Sequence, residues 1–367
     1  MQIFLDNIVF TIQKAGGVSV YWYELLQGMC NAGMPVNFLN AGLNPSNIFE
    51  QQLNYQQHTC IRESWIPPKY LRYLPLQYTL PHSAIFHAGY LRVSPQKNVL
   101  NILTVHDFAH ERKIATRFPR GLANTQQKAY GIKRADGIIC ISDSTRKELL
   151  HFYPETNPAK LRVVYHGLAD TFYPFDKKAA GIPILPAAIN CPYILYVGGR
   201  DNYKNFRTAL DTIALLPPAY KLVVAGGGPW DKKEQQLIEN KLHGRYIIVE
   251  NVKPADLNIL YNYAWCLLYP SCYEGFGFPP GEAMKAGCPV VTTNCTSMPE
   301  VVGNAGLLTT EITARAFAEQ ILQLEEPSFR DQIIQAGIAQ SSLFTWEKSV
   351  RETIRFYKDC WNNKFAS

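Results

Sequence analysis

Short apolar runs alternate with helix-period stretches along almost the whole of this sequence, and that alternation narrows the fold more than any other feature. In the first half the runs fall at residues 3–5, 36–39, 84–87, 99–105, 137–141 and 161–165. In the second half they fall at 193–197, 221–225, 246–249, 266–269, 289–293 and 306–308. Segments such as 18–31, 145–152, 206–216 and 255–264 carry helical spacing between them. A run that is apolar at every position belongs to a strand covered on both faces. Strands that alternate with helices build parallel sheets. The expected class is therefore α/β, with doubly wound Rossmann-like sheets.

A chain of 367 residues is long for one such sheet, since a domain holds roughly 150. The stretch 176–192, DKKAAGIPILPAAINCP, has three prolines and no clear period, which marks a linker. The expected division is an N-terminal domain over 1–175, the linker over 176–192 and a C-terminal domain over 193–344. A final segment, 345–367, is helical over 345–362 and is expected to return to the N-terminal domain. In open α/β sheets, ligands bind beyond the carboxyl ends of the strands. Two such domains facing across a cleft would place their post-strand loops in it.

Charge is spread unevenly. Residues 61–173 hold 16 Lys/Arg against 8 Asp/Glu, whereas 174–367 hold 19 of each. A basic first half suits an anionic partner and equally suits a solvated face with none. The nine cysteines show no CxxC or CxxH spacing. Together with their odd number, this fits reduced thiols in the cytoplasm better than a disulfide framework or a structural zinc site. Strand-like sequence begins at Gln2, so no signal peptide is expected. No apolar run approaches the ~20 residues that span a bilayer. The segment 65–75, WIPPKYLRYLP, mixes aromatic and basic side chains, which suits an anionic membrane interface as well as an ordinary packed loop.

The strongest chemical signal is 272–287, CYEGFGFPPGEAMKAG, directly after an apolar run. Glu274 sits in a loop with Gly275, Phe276 and Gly277, and Glu282 lies eight positions on. Pro279 and Pro280 suit a first helical turn and Gly287 a helix end. A helix starting there would turn its N–H groups and dipole toward an anion such as a phosphate. Two carboxylates beside it could accept hydrogen bonds from sugar hydroxyls. They could also merely complement the dipole and face water. The next signal is 196–206, YVGGRDNYKNF, where Gly198 and Gly199 open the backbone and Arg200 and Lys204 follow. A guanidinium fork and a point charge suit a diphosphate, although a plain cationic surface loop has the same composition.

Weaker signals lie in the first half. Gly16 and Gly17 could open a helix toward a phosphate or form a simple turn. His106, in VHDF, could contact a hydroxyl or serve as a core histidine. In CISDSTR, Ser142 or Asp143 reads as a helix cap.

Taken together, EGFGFPPGEAM, VGGRDNYKN, VHDFAHER and ICISDSTRKEL resemble the retaining glycosyltransferases of family 4, which have the GT-B fold, over nearly the whole chain. The mannosyltransferase-like branch of bacterial surface-polysaccharide and O-antigen synthesis is the most similar. The resemblance implies a nucleotide sugar, GDP-mannose foremost and UDP-sugars next. It also implies a saccharide or lipid-linked oligosaccharide acceptor at the cytoplasmic membrane face. Arg200 and Lys204 would bind the diphosphate, Glu274 the transferred sugar and Glu282 the ribose. His106 would contact the sugar, Gly16 and Gly17 would approach the phosphate from the first domain, and Gly199, Gly275, Phe276 and Gly277 would line the donor site. No cofactor, no essential metal and no nucleic acid is expected. Gly281 departs from the family pattern, where a bulkier aliphatic residue is common, and is expected to loosen the helix start.

Two rival classes make different demands. A nicotinamide oxidoreductase needs G-x-G-x-x-G after the first strand, but here Gly226, Gly227 and Gly228 follow a later strand and Asp231 stands at the last glycine position. A non-catalytic sugar or polyanion binder has no need of Glu274.

Overall fold

The computed structural model describes residues 1–42, 47–53, 59–115, 120–176, 192–200 and 202–365. They form two compact units, one of Met1–Gly167 with Thr345–Ser367 and one of Leu168–Phe344.

In the first unit β1 (Gln2–Asp6) is followed by α1 (Ile8–Ile12), α2 (Gly17–Asn31), β2 (Val36–Asn40) and β3 (Thr59–Arg62). Then come α3 (Pro68–Leu71), β4 (Ala84–Ala88), β5 (Val99–Val105), α4 (Arg120–Arg134), β6 (Gly137–Cys140), α5 (Asp143–Phe152) and β7 (Leu161–Val163). The seven strands run parallel in the order β3-β2-β1-β4-β5-β6-β7. Ile3 registers with Val36 on one side and Ile85 on the other, and all of β5 is buried. The sheet thus grows outward in both directions from β1. Edge strand β3 escaped the sequence reading because TCIR is mostly exposed and carries no apolar run.

The second unit holds β8 (Tyr193–Val197), α6 (Phe206–Leu215), β9 (Lys221–Ala225), α7 (Lys232–Leu242) and β10 (Tyr246–Val249). It continues through α8 (Pro254–Tyr263), β11 (Cys266–Tyr269), α9 (Phe278–Lys285), β12 (Val290–Thr293), α10 (Met298–Val302) and β13 (Leu307–Thr309). Helices α11 (Ala314–Gln323) and α12 (Pro327–Ser341) close it. Its strand order is β10-β9-β8-β11-β12-β13, again all parallel. The chain leaves β8 toward β9 and β10, then returns to the opposite side with β11. The loops after β8 and β11 therefore diverge and leave a crevice at this switch point.

Helix α13 (Trp346–Phe365) belongs to the first unit. Val350, Phe356 and Tyr357 join the apolar cluster that α2 builds with Tyr21, Trp22 and Leu25. The first unit ends at Gly167, not at 175, because the next residues pack into the second unit. Tyr173 and Phe175 donate their N–H groups to Asn258 and Asn262 on α8 at 3.2 and 2.7 Å, and Lys285 donates to the Leu168 carbonyl at 3.0 Å. Of the expected linker 176–192, residues 177–191 lie outside the described residues. None of the eight described cysteines forms a disulfide. No described helix is long and apolar enough to cross a membrane.

Candidate active site

At the β8/β11 switch point two loops meet. Asn205, in the left-handed region at φ 51°, donates from its amide to the Pro270 carbonyl at 2.9 Å, and Cys272 N–H donates to the Tyr203 carbonyl at 2.9 Å. The β8 loop carries Lys204 and the β11 loop carries Glu274. Lys204 Nζ lies 2.5 Å from Glu274 Oε1. Tyr269, the last residue of β11, donates its hydroxyl to the same oxygen at 2.6 Å and accepts from Lys204 Nζ at 3.2 Å. The two charged side chains keep 16% and 14% of their surface, so a ligand in the crevice can still reach them.

A second clasp fixes the Glu274 backbone. Glu274 N–H donates to Thr296 Oγ1 at 3.0 Å, while Ser297 Oγ donates to the Glu274 and Phe276 carbonyls at 3.0 and 2.8 Å. Gly277 takes φ 108°, and a Cβ there would stand 2.3 Å from Met298, so only glycine fits. Helix α9 begins one residue later. Pro279 and Pro280 have no N–H, so its first turn presents fewer backbone donors to an anion than expected. Glu282 is the fifth residue of α9, one turn deeper than the first-turn place the sequence suggested. It accepts from the Tyr261 hydroxyl at 3.2 Å, and burial raises its carboxyl to about 7. Gly281 does not loosen the helix: a Cβ there would lie 2.7 Å from the Leu168 side chain, so its absence lets that leucine pack against α9.

Arg200 is engaged differently. Its Nε and Nη2 grip both oxygens of Glu234 at 3.0 and 3.1 Å. Nη1 donates to the Gly226 carbonyl at 3.2 Å, and Nη2 also reaches the Gly228 and Pro229 carbonyls at 3.3 and 2.9 Å. The guanidinium lies 4.2 Å over Trp230, and its side chain is only 4% exposed. Arg200 thus braces the turn after β9. In that turn Gly226, Gly227 and Gly228 all take positive φ, and a Cβ on Gly227 would meet the Gly198 carbonyl at 2.4 Å. Gly199 offers its carbonyl to the Tyr196 hydroxyl at 2.6 Å. Beyond the turn a cavity of about 340 Å3 is lined by Gly228, Pro229, Glu250 and Asn251.

His106, Gly16 and Gly17 lie in the first unit. Gly16 caps α2 and Gly17 is its first residue. His106 follows β5. Its ring meets Tyr21 edge-on at 5.2 Å and His166 at 5.6 Å. Burial, aided by Lys128 and opposed by Asp107, lowers it to about 4. It is therefore a neutral imidazole at neutral pH, able to donate or accept one hydrogen bond. Ser142, not Asp143, caps α5, accepting from Thr145 N–H at 3.0 Å.

Sequence spacing found Lys204 and Glu274, which the fold brings into contact. It missed Tyr269, Thr296, Ser297, Glu234 and Tyr261, which lie outside those motifs and meet them only through the fold. In the 65–75 segment Trp65 is 82% exposed with the Arg62 guanidinium 3.5 Å over its ring, and Tyr70 is 59% exposed with Lys69 at 4.8 Å.

Residues 15–171 match the family described as Glycosyltransferase Family 4, and residues 182–360 match Glycosyl transferases group 1. O-antigen chain mannosyltransferase B of Escherichia coli is 36% identical over 230 residues, which is 60% of this chain and 60% of that protein. The serotype-specific mannosyltransferase WbdA of the same organism is 27% identical over 235 residues, 60% of this chain but only 28% of WbdA. Among solved structures, sucrose-phosphate synthase from Thermosynechococcus elongatus superposes with a TM-score of 0.75 at 21% identity, covering 99% of this chain and 100% of that one. This likeness is one of fold.

Proposed function

The chain belongs to the family 4 glycosyltransferases of GT-B fold, and on that basis we propose that it transfers a hexose from a nucleotide sugar to a saccharide acceptor with retention of anomeric configuration. The observation that carries the reading is the Lys204–Glu274–Tyr269 cluster at the β8/β11 switch point. Breaking a sugar–phosphate bond develops positive charge on the ring and negative charge on the departing diphosphate. Lys204 supplies a fixed cation for that negative charge. Glu274, already an acceptor for two donors, is suited to hold sugar hydroxyls. With Oε1 committed in this way it is not assigned as a covalent nucleophile, and the paired-carboxylate scheme of hydrolases is not invoked. The acceptor attacks from the face the diphosphate leaves, and the leaving phosphate takes its proton. Arg200 acts through the turn it braces and through its nearby charge. Glu282 holds the ribose, and His106 contacts the sugar as a neutral imidazole.

The mannosyltransferase likeness supports mannose as the transferred sugar, and we take GDP-mannose as its donor, with UDP-sugars the second choice. It also supports an acceptor in O-antigen or related polysaccharide synthesis, which we take to be carried on a lipid. The cation-capped aromatic side chains of residues 62–70 suit peripheral contact with an anionic bilayer at the cytoplasmic face. No metal is required by this scheme. The testing experiment offers the full chain a panel of nucleotide sugars and follows both thermal shift and transfer to lipid-linked saccharide. GDP-mannose should stabilise the fold and support turnover that survives a chelator. Stabilisation without any turnover across the panel would favour a non-catalytic binder instead.

A further inference from the structure

Four buried side chains of the first unit, each from a different element, form one hydrogen-bonded line that the scheme above leaves unused. Tyr357 on α13 places its hydroxyl 2.5 Å from His87 Nδ1 on β4. His87 Nε2 lies 2.8 Å from Thr104 Oγ1 on β5, and Thr104 Oγ1 lies 2.9 Å from the Tyr21 hydroxyl on α2. None of the four is more than 5% exposed. Burial, aided by nearby His106, lowers His87 to about 3. Its imidazole is therefore neutral at neutral pH and offers one donor and one acceptor to its two neighbours.

The line ends at the seat of His106, two residues beyond Thr104. The Tyr21 ring meets His106 edge-on at 5.2 Å, with 74° between the planes. It also lies 4.7 Å from His166, whose own ring is 5.6 Å from His106. Trp346, the first residue of α13, closes the group at 6.4 Å from Tyr21 and 5.7 Å from His166. The His106 ring makes no hydrogen bond to another described residue. Its tilt is therefore set by packing, and Tyr21 is a wall of that packing whose far end is pinned. Sliding the tyrosine ring would break a buried hydrogen bond and leave both hydroxyls desolvated, which is costly.

We propose that Tyr21 is a positioning residue for His106: the line Tyr357–His87–Thr104–Tyr21 fixes the tyrosine ring, and the ring fixes the angle at which the imidazole faces its ligand. The assignment rests on the reading that His106 contacts the transferred sugar. It gives the returning helix α13 a part in that contact as well as in the core. A network that served the core alone would act through stability. A positioning line lowers the step that needs His106 and leaves nucleotide affinity unchanged.

Two substitutions test it. Tyr21→Leu removes the ring and Tyr21→Phe only the hydroxyl. With the nucleotide sugar that supports transfer, kcat should fall about ten-fold in Tyr21→Leu and about three-fold in Tyr21→Phe, while the donor KM and the affinity for its bare nucleoside diphosphate stay within about two-fold. In a His106→Ala background neither substitution should lower kcat further, since the group they position is gone. Wild-type kcat in Tyr21→Phe, a loss that persists in full beside His106→Ala, or a parallel loss of diphosphate affinity would overturn the assignment. Tyr21→Phe decides these outcomes alone if Tyr21→Leu does not fold. A second readout needs no turnover. In the full chain labelled with 13C-histidine, the His106 ring protons are identified by their absence from His106→Ala. They should shift in Tyr21→Phe, which keeps the ring current but loosens its source, and shift less in Tyr357→Phe at the far end of the line. Exposed His82 and His243 should stay in place. If the His106 signals move in this way while no nucleotide sugar supports transfer, the glycosyltransferase reading falls and the positioning role stands. If transfer proceeds with those signals unmoved in both variants, only the positioning role falls.

Discussion

Arg200 and Lys204 stand four positions apart on one loop, and each faces a carboxylate, yet the two pairs are built for different work. Arg200 engages four of its five N–H donors with Glu234 and the carbonyls of the Gly226–Pro229 turn, at 4% side-chain exposure. Lys204 meets Glu274 and one tyrosine hydroxyl beside open space. The first pair is saturated by protein and shapes backbone. The second retains lone pairs and a mobile cation that an incoming ligand can exchange. Two cations that look equivalent in sequence are thus divided by how many protein acceptors surround them.

The largest expected effect falls on the open pair. Lys204→Ala should lower kcat by roughly 10²–10³, the usual consequence of losing one charge-stabilising group, with a melting temperature close to that of the wild type. Steady-state transfer and calorimetry on the same preparation check both halves, and a large loss of stability would erase the contrast. The saturated pair should respond in the opposite sense. Gly227→Ala forces a left-handed residue against the Gly198 carbonyl beside Arg200. It should destabilise the fold by about 2–4 kcal/mol, visible as a melting temperature several degrees lower; an unchanged value would show that the turn does not need its brace.

A smaller effect comes from Glu282. Its ordinary value is 4.5 and burial raises it to about 7. The folded carboxyl therefore holds a proton between those values that the unfolded one has lost, so stability declines as pH rises across that window. Binding of a ribose hydroxyl by the ionised form has the opposite sign. The KM for the sugar donor should rise several-fold as pH falls from about 7.5 to 6, and Glu282→Gln should flatten the profile. A wild-type profile that stays flat removes Glu282 from the nucleotide. The smallest effect is Gly281→Ala. The new methyl presses only on the flexible Leu168 side chain and should cost about 1 kcal/mol in denaturant unfolding. A cost above that of Gly227→Ala would reverse the ranking.

Most of the architecture was legible because burial on both faces writes itself as unbroken apolar runs. All six strands of the second unit fall on such runs, whereas β3, exposed on most of its residues, left no trace. Glu274 and Lys204 were legible as residue types in glycine-rich loops after strands. Their partners were not. Tyr269 reads as the end of an apolar strand, and Glu234 reads as a surface helix residue until the fold sets Arg200 against it, 34 positions away. The helix position of Glu282 depended on where α9 begins, which the glycines and prolines fixed only to within a turn. The end of the first unit at Gly167 depended on amide contacts to α8 that no local composition announces.

We propose that Glu274, held by Lys204 and Tyr269, grips the sugar rather than the nucleotide. Calorimetric titration of wild type and Glu274→Gln with the nucleotide sugar that supports transfer, and with its bare nucleoside diphosphate, tests it most directly. The variant should keep its affinity for the diphosphate and lose the added affinity contributed by the sugar. An unchanged preference for the sugar-bearing nucleotide would contradict it.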